Sequence, residues 1–302
     1  MNWSRIKLEL FYIHKSFLEY RKGFKYLKNK YFLAPKILKR RRVLEKPINF
    51  KDLSIHILSS HKDLIMLIWS LGSFYQHMRI IGQVYLHSDG TITNKDEKII
   101  KDFFPSIKII KPEQFLKFYQ SNLKSYPVIK KFRTKYPQFF LLKKIIDPYF
   151  ISDKNCHLII DSDLGWFKEP IELEEEIKNR CQNSLMLLNN RPCYVTFWNG
   201  TKISQEKANY NSGIVLYRKD NFNLKKLSNY LSNIDIYNPL NKHFIEQAGY
   251  AVCLENLQFL PPKYYTIAQP LDNRIILKHY TSPRRPLFYI EALEKIKEVV
   301  LR

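Results

Sequence analysis

Apolar residues recur along the chain in two different patterns. Near the N-terminus they return every three or four positions with Lys and Arg between them, and this spacing predicts a basic amphipathic helix. The apolar positions of this stretch are Trp3, Ile6, Leu10, Ile13, Phe17, Tyr20, Phe24 and Leu27. Such a helix either lies on an anionic membrane surface or packs its apolar stripe on the rest of the protein, and the pattern favours neither.

From residue 53 onward, short apolar runs alternate with stretches of helical spacing. The runs predict strands at 53–58, 84–87, 107–110, 158–160, 185–188 and 214–217. Helical spacing is found between them at 62–75, 94–103, 112–119 and 136–149. This alternation predicts an α/β, Rossmann-like fold with a mixed, mostly parallel sheet flanked by helices. Ligands of such sheets bind beyond the C-terminal strand ends, so the residues that follow each strand are the candidates for chemistry.

The chain carries a strong and uneven positive charge. Its 50 Lys and Arg outnumber its 28 Asp and Glu, which gives a net charge of +22. Residues 1–50 contain 14 of the basic residues and only three Glu, so half of the excess lies in the first sixth of the chain. An AT-rich coding sequence explains the general basicity equally well, but it does not explain this concentration. We therefore predict a basic helical extension over residues 1–50, with a solvated linker at 39–42, and an α/β domain over residues 51–302.

Composition excludes several classes of protein. A hydrophobic content of 45% over 302 residues can fill a core, so the chain is not expected to be disordered. No apolar run approaches the ~20 residues of a membrane-spanning helix, and the N-terminus lacks the apolar block of a secretory signal. The four cysteines form no C-x-x-C pair, which argues against a disulfide scaffold or a cysteine-rich zinc site. We expect a cytoplasmic protein, peripheral on the inner face of the membrane if the extension binds lipid.

Two carboxylates follow the predicted strand at 158–160. Asp161 and Asp163 are two residues apart, so on an extended backbone both side chains face the same side. Carboxylates at the end of a buried strand are costly unless cations compensate them, and hard Mg²⁺ or Mn²⁺ ions are held by such groups together with substrate phosphates. The pair predicts a divalent metal site with a phosphorylated ligand, although the same pattern is also common in surface turns.

Two later segments carry further candidates. Asn211, Ser212 and Gly213 directly precede the predicted strand at 214–217, where they form either a ligand-binding loop or an ordinary turn. His279 follows an apolar run near the C-terminus, and neutral imidazole is a common metal ligand, although a single His is more often structural. Ser59, after the first strand, either lines a nucleotide site or caps the next helix.

Taken in order, these landmarks resemble those of GT-A glycosyltransferases, especially glycosyltransferase family 8. The resemblance covers about residues 53 to 286. It consists of a strand followed by D-S-D-x-x-x-F-x-x-P from Asp161, then N-S-G and a strand, then Glu246-Gln247, Leu260-Pro261-x-Lys263-Tyr264, and finally His279-Tyr280 before Pro283 and Pro286. It implies a GT-A fold, a nucleotide-diphospho-sugar donor with UDP favoured, a glycan or lipid-linked acceptor, and Mn²⁺ or Mg²⁺.

The resemblance also implies roles for individual residues. Asp161, Asp163 and His279 would bind the metal, and Asp161 would also contact the donor. A basic residue before the D-x-D motif would contact the donor as well, and we favour Lys144 over Lys143. The other implied donor-binding residues are Ser59 at the nucleoside and Asn211 and Ser212 at the sugar.

Glu246 and Gln247 match the position that lies near the β face of the donor sugar, so they are the predicted catalytic residues of a retaining enzyme. The family more often has Asp where this chain has Glu246, which leaves open an inverting enzyme with Glu246 as base. Two other functions use the same features: a basic nucleic-acid-binding protein, which we do not expect because no such module is recognisable, and a phosphatase or nucleotidyltransferase. Trp166 and Trp198 are more typical of core packing than of acceptor stacking.

Overall fold

The computed structural model describes residues 3–40, 42–119 and 121–301, and within this part of the chain ten strands form two sheets. The strands are β1 (Leu53–Ser59), β2 (Gln83–Ser88), β3 (Lys108–Ile110), β4 (Cys156–Asp161), β5 (Leu164–Trp166), β6 (Ser184–Leu188), β7 (Tyr210–Arg218), β8 (Leu257–Phe259), β9 (Tyr265–Thr266) and β10 (Leu277–His279). The larger sheet has the order β3-β2-β1-β4-β7-β6-β8, and the smaller one has the order β5-β10-β9. Only β7 runs antiparallel to its neighbours in the larger sheet, which confirms the predicted mixed, mostly parallel sheet.

Helices cover both faces of the larger sheet. They are α1 (Trp3–Leu18), α2 (Gly23–Lys28), α3 (Leu64–His77), α4 (Asn94–Phe103), α5 (Pro112–Tyr119), α6 (Pro127–Lys135), α7 (Lys143–Ile151), α8 (Ile171–Lys178), α9 (Gln205–Ala208), α10 (Leu224–Asn233), α11 (Asn241–Cys253), α12 (Arg285–Leu287) and α13 (Leu293–Val300). Because side chains alternate along a strand, Leu158 and Ile160 of β4 pack into one core while Ile159 packs into the other. The larger sheet is therefore buried on both faces, as in α/β folds.

The predicted N-terminal helix is not continuous. It ends at Leu18, and the chain turns back at Arg21, whose φ of 51° is left-handed, before α2 begins at Gly23. A Cβ at residue 23 would overlap the ring of Phe17, so glycine lets the two helices approach closely. The turn follows from this packing, which periodicity alone does not reveal. Short π and 3₁₀ segments then continue the helical path over Asn29–Leu33 and Ala34–Lys39, and Arg41 of the predicted linker lies outside the described residues.

The extension packs its apolar side on the rest of the protein. One of the two hydrophobic cores includes residues of the extension. Tyr12, Tyr26 and Ala34 are buried in this core together with Leu158 of the larger sheet. Asn29 donates a hydrogen bond from Nδ2 to the carbonyl of Tyr289 at 2.7 Å. The packing alternative is therefore observed, while the division of the chain at residue 50 stays a prediction. No helix among the described residues is long and apolar enough to cross a membrane.

Two predicted boundaries were wrong. The strand predicted at 214–217 begins at Tyr210, so Asn211, Ser212 and Gly213 belong to β7 and not to a turn before it. A bulge opposite them, between Met186 and Leu187 of β6, shifts the register and accommodates these polar residues within the ladder. The helix predicted at 136–149 is a 3₁₀ segment, Pro137–Leu142, followed by α7.

Candidate active site

One edge of the larger sheet gathers most of the predicted site residues. The parallel strands β1 and β4 both end here, and Leu58 pairs with Asp161. Strand β7 runs in the opposite direction and therefore begins at the same edge, which places Ser212 close to the end of β4. In the smaller sheet, His279 of β10 pairs with Leu164, and Tyr280 N donates to the carbonyl of Asp163 at 3.0 Å. Residues far apart in sequence thus meet at one edge.

Asp161, Asp163 and His279 form a cluster of metal-ligand type. His279 Nε2 lies 3.1 Å from Oδ1 of Asp163 and 3.3 Å from Oδ2 of Asp161. One ligand atom from each of the three residues lies within 4.8 Å of the others. Two carboxylates and an imidazole suit Mn²⁺ or Mg²⁺ better than a soft metal.

The ring of His279 is oriented by its neighbours. Its Nδ1 lies 2.9 Å from Oδ1 of Asn211, an oxygen that also accepts the backbone N–H of Gly213. Nδ1 is therefore the donor, and Nε2 is directed at the carboxylates, as in metal sites whose second nitrogen is held by a hydrogen bond. Burial lowers the pKa of His279, but Asp163 and Asp161 outweigh it and raise that pKa to about 9.

Lys144 links Asp161 to the predicted catalytic glutamate. Its Nζ lies 2.7 Å from Oδ1 of Asp161 and 3.0 Å from Oε1 of Glu246, and it donates to the carbonyl of Ser212 at 3.1 Å. Ser212 Oγ donates to the other carboxylate oxygen of Glu246 at 2.8 Å. Burial raises the pKa of Glu246, while Lys144 opposes this shift. The neighbouring Lys143 instead donates to the carbonyl of Asp89, so Lys144 is the lysine that the structure brings to the aspartates.

Two predicted site residues have buried polar atoms without partners. Ser59 Oγ forms no hydrogen bond with any described residue. Gln247 Nε2 forms no hydrogen bond with a nitrogen or oxygen atom of any described residue. The carbonyl oxygen of Gln247 accepts a hydrogen bond from Asn211 at 3.4 Å, so the amide is oriented. Buried polar groups are normally satisfied, and these two atoms are therefore available to a ligand.

Sequence reasoning missed Arg285 and Asp63. Arg285 donates from Nε to Oδ2 of Asp163 at 3.0 Å and from Nη1 to Oδ1 of Asp63 at 2.8 Å. Burial raises the pKa of Asp163, but Arg285 and His279 outweigh it and hold that pKa well below its ordinary value. No motif marks Arg285, since α12 has only three residues and its position depends on the packing of the C-terminal segment.

The charges at this edge fit a divalent cation. Four carboxylates are joined to two permanent cations through the ion pairs described above, and these residues are Asp63, Asp161, Asp163, Glu246, Lys144 and Arg285. With His279 neutral, as a metal ligand must be, the group carries a net charge of about −2. A Mn²⁺ or Mg²⁺ ion would neutralise it, and the donor set is appropriate for either.

Comparisons with known proteins bear on the fold. No family model and no curated protein sequence matches the chain. Among solved structures, mouse xyloside xylosyltransferase 1 in its apo form superposes with a TM-score of 0.50 at 12% identity, over 78% of this chain and 98% of that one. The bifunctional glycosyltransferase WbbM, also in its apo form, gives a TM-score of 0.53 at 11% identity, over 83% of this chain and 50% of that one. The chain therefore has the GT-A glycosyltransferase fold, which confirms the fold predicted from the sequence.

Proposed function

We propose that the protein is a metal-dependent glycosyltransferase that moves a sugar from a nucleotide-diphospho-sugar, with UDP favoured, to a glycan or lipid-linked acceptor. The convergence of Asp161, Asp163 and His279 at the ligand-binding edge of a GT-A fold carries this proposal. These three residues would hold Mn²⁺ or Mg²⁺ and, through it, the diphosphate. A bound divalent ion acts as a Lewis acid that stabilises the charge developing on the departing nucleoside diphosphate.

The chain's own residues would bind and orient the donor. Ser59 would accept or donate a hydrogen bond at the nucleoside, and Gln247 would use its free Nε2 on the sugar. Ser212 and Asn211 flank Gln247 and Glu246 and would fix the sugar's orientation. Because Asn211, Ser212 and Gln247 are buried and hydrogen-bonded to neighbouring side chains, this part of the site is preorganised for one donor pose.

Glu246 would act on the transferred sugar. Its carboxylate is held between Lys144 and Ser212, so it presents a fixed negative charge beside the metal site. A fixed charge of this kind stabilises an oxocarbenium-like transition state. We propose retention on the ground of the family resemblance, since this transition state is common to both outcomes. An inverting enzyme would instead require Glu246 to accept the proton of the acceptor hydroxyl. The anomeric configuration of the first turnover product, read by NMR, separates the two.

The first experiment is a thermal-shift panel of nucleotide-sugars and nucleotides with Mn²⁺, Mg²⁺ or EDTA, followed by product analysis. A ligand that binds the native state raises the melting temperature by mass action. We expect one nucleotide series to stabilise the protein only with metal, and Asp163→Asn to remove both this shift and the turnover. The exposed Asp220→Asn is the matched control. Release of phosphate or nucleotide without a glycosidic product would instead favour a phosphatase or nucleotidyltransferase.

We also propose that the extension binds an anionic membrane surface. Besides its buried side, it exposes large apolar residues, with Leu18 66%, Phe24 82% and Phe32 72% exposed. Phe24, Lys28, Phe32 and Lys36 are all exposed, so apolar and basic side chains alternate along the exposed part of the extension. Aromatic residues that enter the interface while lysines meet anionic headgroups are typical of peripheral binding.

This second proposal is tested by flotation with vesicles of phosphatidylcholine, with and without phosphatidylglycerol. We expect binding that needs the anionic lipid and that falls at least about tenfold in the Phe24→Ser/Phe32→Ser double variant, because each buried ring contributes roughly 1.5–3 kcal/mol. Phe118→Ser, which is 65% exposed on α5, is the control. Point variants are preferable to truncation, since removal of Tyr12 and Tyr26 would open the core. Equal binding to both vesicle types, or by the double variant, would contradict the proposal.

A further inference from the structure

Trp198, in the loop between β6 and β7, forms an exposed aromatic pair with Tyr237, which lies in the segment before α11. The rings of Trp198 and Tyr237 lie 5.5 Å apart at an angle of 73°. Trp198 is 52% exposed and Tyr237 is 79% exposed, so the prediction that Trp198 packs in the core was wrong, whereas Trp166 is fully buried as predicted. At least half of the surface of each residue is exposed, so the pair contributes little to the core.

The pair is held in a fixed position. Buried Asn241, at the start of α11, accepts the backbone N–H of Thr196 at 2.9 Å and donates to the carbonyl of Thr196 at 2.8 Å. Trp198 N donates to the carbonyl of Asn233 at 2.9 Å. These bonds tie the loop to the ends of α10 and α11, so the rings are presented on an ordered backbone.

Helix α11 relates the pair to the proposed site. Its C-terminal end lies at the sheet edge opposite the site, where Asn223 N donates to the carbonyl of Cys253. Its N-terminal end therefore points toward the side on which the site opens. Glu246 follows Asn241 by five residues, which is about 7.5 Å along the helix axis. The same loop also begins beside the site, because Asn189 Nδ2 donates to the carbonyl of Tyr210 at 2.8 Å, directly before Asn211.

Several exposed polar groups lie close to the two rings in sequence. Asn199 accepts hydrogen bonds from Thr201, and Asn238 and Asp235 accept backbone N–H groups of the neighbouring segment, all at exposed positions. An aromatic face bordered by amide, hydroxyl and carboxylate groups matches a sugar ring, which has an apolar C–H face and hydroxyls around its rim. Lys202, on the same loop as Trp198, lies over the ring of Tyr194.

We infer that Trp198 and Tyr237 form a stacking platform for an oligosaccharide acceptor, in contact with sugars next to the one that receives the transferred residue. The inference rests on the proposed function, since it takes Glu246 and Gln247 as the point of transfer. The platform would contribute to the choice of acceptor and would leave donor binding unchanged.

The test uses the full chain with UDP and Mn²⁺ on an array of oligosaccharides, together with the rate at which the enzyme transfers the donor sugar to water. We expect Trp198→Ala and Tyr237→Ala each to weaken binding of the selected oligosaccharide by about tenfold. Trp198→Phe should retain most of the binding, Phe118→Ala should have no effect, and donor hydrolysis should be unchanged in all variants.

Three results would overturn the inference: no saccharide binding by the wild-type chain, equal binding by the alanine variants, or loss of vesicle binding in place of saccharide binding. The last would assign the pair, with exposed Leu240, to a membrane surface. A failure of the proposed function is distinguishable, because the wild-type chain would then neither be stabilised by a nucleotide with metal nor hydrolyse a donor.

Discussion

The ring of His279 occupies the space that a Cβ at residue 213 would fill, so Gly213 is what allows this histidine of the proposed metal site to lie against β7. Gly213 lies between Asn211 and Val215, which pair with β6, and directly before Ile214, which pairs with β4. These pairings restrain the backbone around Gly213, so we expect an added methyl group to displace the imidazole.

Gly213→Ala should weaken Mn²⁺ binding by about 10–100-fold, the range seen when residues that orient metal ligands are changed. The measurement is calorimetric titration with Mn²⁺. The double variant Gly213→Ala/His279→Ala is its control, because loss of the ring removes the overlap. We expect the double variant to recover the melting temperature without recovering metal binding. Unchanged Mn²⁺ affinity in Gly213→Ala would contradict the assignment of His279.

Glu246→Gln should lower kcat by about 100-fold or more while the donor KM changes little. The amide preserves the shape of the side chain, but it removes the charge that the proposed mechanism requires in the transition state. Initial rates with a metal-saturated donor measure the effect. Glu255→Gln, half exposed and paired with Lys226, should behave as the wild type. A large rise in KM at constant kcat would make Glu246 a binding residue.

Arg285→Met should increase the stabilisation by Mn²⁺. Without the guanidinium, Asp163 and Asp63 lose their cation while their side chains remain only 7% and 13% exposed. An uncompensated buried charge typically costs about 3–5 kcal/mol, and a divalent ion bound to Asp163 would offset much of it. We expect a lower melting temperature in EDTA and a larger rise with Mn²⁺ than in the wild type. As a control, Arg274→Met at an exposed position should change neither melting temperature. An equal rise with Mn²⁺ in Arg285→Met and in the wild type would contradict the prediction.

Three buried histidines should make the fold sensitive to mild acid. His56, His87 and His157 lie on adjacent strands β1, β2 and β4, with His56 Nδ1 2.9 Å from His87 Nε2 and the ring of His157 stacked 5.6 Å from that of His56. Burial lowers the pKa of His87 and of His157 to about 3, and it lowers the pKa of His56 well below its ordinary value. As pH falls below about 6.5, these three histidines become protonated in the unfolded chain but stay neutral in the folded protein.

The unfolded state therefore binds more protons below about pH 6.5, and the free energy of unfolding should fall as pH falls from about 6.5 toward 3. The slope is at most about 1.4 kcal/mol per pH unit for each ring. Urea denaturation at several pH values between 6.5 and 5 measures this slope. Most carboxylates titrate below this range, so they contribute little to it. His157→Asn should reduce the slope by about a third. A stability that does not vary over this range would show that the rings are not held neutral.

Much of the fold followed from local sequence pattern. The helices at Asn94–Phe103 and Pro112–Tyr119 have their predicted bounds, and the six predicted strands of the larger sheet are all present. Periodicity succeeds here because a strand or helix that is buried on one or both faces must repeat its apolar side chains at the spacing of its backbone. It fails at Arg21, where a tertiary contact between Phe17 and Gly23 reverses the chain.

The residue types of the site were also readable from the sequence, because carboxylates directly after a buried strand need a compensating cation. The sequence by itself determined the α/β alternation, the charge of the extension, and Asp161, Asp163 and His279 as metal-ligand candidates. Only the tertiary structure decided which lysine reaches Asp161, and it placed Asn211 against His279, Arg285 against Asp163, and Trp198 in solvent. The reason is physical: the paired residues lie 17 to 122 positions apart in the sequence. Their geometry is set by strand register and loop packing, which no local pattern of apolar and polar residues encodes.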